Sequence, residues 1–139
     1  MNKLLIILSI IILSGSLNAQ ILIGLTEDEI LNYMEEKHPN YNLNTGFGST
    51  ENTVKFYDST KDRTFIFFLN DKGICEYSKL MLDMEEYDKT VSVMNNSKSF
   101  ISKSEHKWIQ KKGDIEFVLT IDKTKWMFSL VTQKKNKKK

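Results

Sequence analysis

A dense β-branched and aromatic run, Thr64–Leu69 (TFIFFL), and a second strand-like run, Ile74–Leu82, stand on either side of Asn70-Asp71-Lys72-Gly73. Asn, Asp and Gly tolerate the positive φ angles of tight turns, so this pattern predicts an antiparallel hairpin. Successive residues of a strand point to opposite faces. In the first run Phe65, Phe67 and Leu69 therefore oppose Ile66 and Phe68, and both sets are apolar. Such a strand belongs in the middle of a sheet, with something covering each side.

Upstream, Leu25-Thr26-Glu27-Asp28-Glu29-Ile30 has the layout of a helix start. Thr26 can accept from the amide of Glu29 while Glu29 reaches back to Thr26, with Leu25 and Ile30 placed as a hydrophobic staple. Ile30, Tyr33 and Met34 supply an apolar stripe, and Pro39 stops the helix, which is predicted over about Thr26–Lys37. Asn40–Asn52 is polar and reads as a loop, Thr53–Tyr57 as a strand and Asp58–Asp62 as a turn. The start signature then returns at Leu82-Asp83-Met84-Glu85-Glu86-Tyr87. Asp83 is placed to cap and Glu86 to close the box. Met84, Tyr87, Val91 and Met94 are spaced for one helical face that ends at Asn95–Ser97. Strands are predicted at His106–Lys111, Ile115–Ile121 and Lys125–Thr132, joined by turns at Lys112-Gly113-Asp114 and Asp122-Lys123-Thr124.

The expected fold class is therefore α+β: a tandem helix-strand-strand-strand repeat forming an antiparallel sheet with two helices on one face. Its halves are about 25–81 and 82–132. On the repeated capping box and this element order, the chain resembles the tandem αβββ architecture of β-lactamase-inhibitor-like proteins and related PepSY-type exported domains. The resemblance is topological, spans about residues 25–132 and carries no functional residue over. It implies a protein that binds or inhibits other proteins rather than one that catalyses.

The first residues change the picture of where the protein works. Met1-Asn2-Lys3 is a short positive start, Leu4–Leu13 is apolar except for Ser9, and Ser14–Ala19 turns small and polar. That is the layout of a secretory signal peptide cleaved after Ala19, which assigns residues 1–19 to export and makes the protein periplasmic or secreted. The domain is then 20–132, and 133–139 is expected to be a disordered Lys-rich tail. The net charge of +2 conceals an asymmetry. Without Lys3 and the five lysines of 134–139, 14 basic side chains face 18 acidic ones, a body charge near −4. The tail suits attraction to anionic surfaces, while an acidic exported body does not suit nucleic acid.

Candidate chemistry is sparse. The one Cys, Cys75, lies in a strand run, so no internal disulfide exists and the residue reads as a small core side chain. His38 and His106 lack any metal-ligand spacing, so neither a metal nor another cofactor is expected. No nucleophile elbow or phosphate-binding loop is present, and the paired acids sit where helix starts explain them. This points away from an enzyme. The aromatics are more suggestive: Phe65, Phe67, Tyr77, Trp108, Trp126 and Phe128 all fall on predicted strands. Two helices cover one sheet face, so these six are the candidate binding residues of an aromatic face that docks a protein partner. The alternative is a small-molecule or lipid carrier with a pocket between helices and sheet.

Overall fold

The computed structural model describes residues 22–45 and 52–137. The expected signal segment, part of the Asn40–Asn52 loop and the last two lysines lie outside the described residues. Helix α1 (Glu27–Lys37) is followed by β1 (Asn42–Leu43), β2 (Thr53–Asp58), β3 (Arg63–Leu69) and β4 (Cys75–Asp83). A 3-10 turn, Met84–Glu86, leads into α2 (Tyr87–Asn96). Strands β5 (Phe100–Ser104), β6 (Lys107–Lys112), β7 (Ile115–Lys123) and β8 (Met127–Lys134) complete the chain. The strands form one eight-stranded sheet in the order β1-β2-β3-β4-β8-β7-β6-β5. Every neighbouring pair is antiparallel. The fold is α+β but mostly sheet.

The local chemistry accounts for the hairpins and the first helix. At the β3–β4 turn the Asn70 side chain accepts from the amides of Lys72 (2.9 Å) and Ile74 (3.0 Å), and Gly73 takes the positive φ of 74° that closes the loop. Thr26 accepts from the Glu29 amide and Glu29 Oε2 accepts from the Thr26 amide at 2.8 Å, so the capping box of α1 is formed as the sequence predicts. The segment ahead of it is pinned to β4: Gly24 N–H donates to the Cys75 carbonyl and Cys75 N–H to that of Leu25, each at 2.8 Å. Leu22 is fully buried.

Three expectations are corrected. Each helix precedes four strands where three were expected, because β1 and β5 are short or polar edge strands. β5, Phe-Ile-Ser-Lys-Ser, lacks the alternation by which strands are recognised. The second capping box does not form: Asp83 caps the amide of Glu85 at 2.8 Å, but the Glu86 carboxylate turns away to Arg63. Nor does a disordered tail begin at 133. Gln133 and Lys134 pair with Val118 and Phe117, and Lys135 N–H donates to the Glu116 carbonyl at 2.8 Å.

Strand register divides the side chains cleanly. One row across the sheet runs Val54, Phe67, Ser78, Thr132, Leu119, Trp108; the next runs Phe56, Phe65, Leu80, Leu130, Ile121. All of these are buried, and the apolar ones share one core with Ile30 and Met34 of α1 and Met94 of α2. Both helices therefore cover the same face. α2 is tied to it by the Trp108 indole N–H, which donates to Asn95 Oδ1 at 2.9 Å.

Candidate binding face

The alternate residues of the same strands form the opposite face. Its middle row runs Lys55, Ile66, Lys79, Val131, Thr120, Lys107 from β2 to β6. The row beside it runs Phe68, Tyr77, Gln133, Val118, Ile109, Ile101. Phe68 and Tyr77 stack at a centroid distance of 4.2 Å and an interplanar angle of 10°. Tyr77 is 36% and Ile101 45% exposed; Ile66, Phe68, Val118 and Val131 are half-buried, and Ile109 is buried between its in-register neighbours. None of these residues belongs to the helix-side core. At the end of the face Glu116 is held between Lys135 (2.7 Å) and Lys111 (3.7 Å). The Lys135 hydrogen bond leads in holding its carboxyl below the ordinary range.

The six aromatic candidates do not share one exposed face. Phe65, Phe67, Trp108 and Phe128 are 5%, 0%, 0% and 0% exposed and lie in the core beneath the helices. They are corrected from contact residues to packing residues, because their strand parity places them on the covered face. Tyr77 alone stands on the open face. Trp126, 75% exposed, sits in the β7–β8 turn with Lys125 Nζ 4.9 Å from its ring, outside any strand. Sequence reasoning missed Ile66, Phe68, Val118, Ile109 and Val131 as a set. The alternation of β3 and β7 separates the two faces in the sequence, but nothing there says which face the helices take.

A second feature is a cleft of about 190 Å³ where the end of α1 meets the β2–β3 turn, lined by His38, Tyr41, Asp58, Lys61, Arg63 and Phe65 among others. Arg63 is held by Glu86 through Nε–H to Oε2 at 3.0 Å and a second guanidinium contact to Oε1, and this pairing leads in raising the arginine's pKa. Burial raises the pKa of Tyr41 and lowers that of His38. Burial alone would raise Asp58 too. The Thr60 hydroxyl (2.6 Å) and the Thr60 and Lys61 amides outweigh it, holding the carboxyl below its ordinary value. Arg63 and Asp58 are already held by Glu86 and Thr60, and the cleft is smaller than the ~300–1,000 Å³ of usual ligand pockets.

Other chemistry-bearing residues are structural. Burial pushes the Cys75 thiol up to about 12, far from the thiolate a nucleophile needs. His106 Nε2 hydrogen-bonds the Tyr87 hydroxyl, whose ring also carries Lys123 Nζ at 3.9 Å. Among the described residues no cluster of three His, Cys, Asp or Glu could hold a metal, and every buried side-chain nitrogen or oxygen has a hydrogen-bond partner. Among them, too, no helix is long and apolar enough to cross a membrane. Comparison with protein-family models, with curated proteins and with solved structures returns no match.

Proposed function

We propose that this chain is an exported, non-catalytic binding domain that docks a protein partner on the face opposite its helices. One observation carries the reading: both helices pack on the same side of the sheet, leaving Ile66, Phe68, Tyr77, Val118 and Val131 outside the core. Apolar side chains gathered on a sheet face that neither helix covers are a usual mark of an interaction site. Export rests on the composition of residues 1–19. The helix-plus-four-strand order on each side of the β4–β8 pair supports a tandem unit, and with it the comparison to β-lactamase-inhibitor-like and PepSY-type domains. A carrier with its ligand between helices and sheet has less support, since Ile30, Met34, Met94 and Trp108 fill that space at 0–1% exposure.

The test is carbene footprinting of the full chain after incubation with envelope and culture-medium fractions of the cells that make it. The expected result is protection at Phe68, Tyr77 and Val118, with Leu31 and Tyr33 on α1 unchanged. Protection confined to the helices, or none in any fraction, overturns the reading.

A further inference from the structure

The open face carries charge as well as apolar surface, and the charged side chains of its middle row are all basic. Lys55, Lys79 and Lys107 lie in a single row across the sheet, and among the described residues none of the three is in an ion pair. Lys55 and Lys79 are half-buried, with Ile66 between them in register. The acids near this row are engaged or peripheral: Glu116 is held by two lysines, Asp83 caps the Glu85 amide, and Asp122 lies in the adjoining row. The opposite side of the protein holds the acidic helix α1, with Glu27, Asp28, Glu29, Glu35 and Glu36. Lys55 and Lys79, half-buried among apolar side chains, and the exposed Lys107 in the same row have no ion pair among the described residues and suit a partner that supplies carboxylates and apolar groups together.

We infer that the occupant of this face is an acidic polypeptide segment with interspersed apolar side chains. This rests on the proposed docking role of the face and names the partner's chemistry. Strands lie ~4.8 Å apart, so the lysine row spans roughly 24 Å, a length that about seven residues of extended chain cover. Lysine stems are long enough to meet carboxylates along such a segment without fixed register. Two other anionic partners fit less well. Insertion into a lipid surface needs apolar groups that reach ~5–10 Å into it, whereas Ile66, Phe68 and Val131 are half-buried in the sheet surface. Single-stranded nucleic acid needs free ring faces for its bases, whereas Phe68 and Tyr77 stack on each other.

The experiment titrates the full chain with a fluorescent peptide of Glu-Glu-Phe repeats, and separately with vesicles of phosphatidylglycerol in phosphatidylcholine. The Lys55→Glu/Lys79→Glu/Lys107→Glu variant, its Gln counterpart and Phe68→Ser are tested alongside, each checked by thermal melting. The expected result is peptide binding that weakens with salt and falls about tenfold or more in the Glu variant, less in the Gln variant. Binding equal in wild type and both lysine variants but lost in Phe68→Ser overturns the acidic preference and leaves the docking face standing. Vesicle binding without peptide binding overturns the inference in favour of a lipid surface. No peptide binding alongside a cell-derived footprint on Phe68 and Tyr77 overturns this inference alone; no binding and no footprint overturn both.

Discussion

Phe67 and Phe68 are neighbours in β3, yet one is fully buried beneath the helices and the other half-buried on the open face. The two faces of the sheet differ less in composition than in what covers them. On the covered side any polar group must be answered: Ser78 and Thr132 are buried with partners, Arg63 is clamped by Glu86, and Asp58 is wrapped by the Thr60–Lys61 turn. On the open side Lys79 sits half-buried between Ile66 and Val131 with no ion-pair partner among the described residues. Coverage, not residue type, decides what a charge costs.

Four measurements sharpen that contrast. Trp108→Ala, which removes a fully buried ring and its hydrogen bond to Asn95, should destabilise by ~3–5 kcal/mol in denaturant unfolding. A loss below ~1 kcal/mol, the level of an ordinary surface site, would erase the distinction between the faces. Glu86→Ala should cost about 1–3 kcal/mol by leaving the Arg63 guanidinium, 13% exposed, without its partner. Adding Arg63→Met should restore much of it, and additive losses would show that the pairing does not couple the two residues.

Asp58 supplies the pH test. Its folded pKa is lowered, so its contribution is present above the unfolded carboxylate pKa and is lost as pH falls through the folded value. Unfolding of wild type and Asp58→Asn followed from neutral to acid pH should converge below the ordinary Asp range, and a constant gap between them would contradict this role. The smallest effect is expected at Lys79→Gln, within about 0.5 kcal/mol of wild type. A larger loss would mean that the open face is held by contacts the lysine makes.

How far the sequence reaches is best judged at the two capping motifs. Leu25–Ile30 and Leu82–Tyr87 have the same arrangement, and only the first forms a complete box. Thr26 and Glu29 are three residues apart and have no stronger suitor, so the local pattern suffices. Glu86 meets Arg63, 23 residues away, once β3 and the 3-10 turn come together, and a charge-assisted bidentate pair outcompetes a single cap contact. The same division explains the candidate residues. Parity within β3 separated Phe65 and Phe67 from Ile66 and Phe68, but the choice of which set to bury followed from helices docking elsewhere in the chain.

By itself, then, the sequence determined the α+β character, the central hairpins, the first helix with its cap and the alternation that makes two faces. Those features depend on contacts within a few residues, which local composition encodes. Tertiary structure alone decided the edge strands β1 and β5, the fate of Glu86, the burial of Trp108 and the alignment of Lys55, Lys79 and Lys107 in one row. Each of these rests on register and packing between segments far apart in the chain, where burial energy overrides local preference.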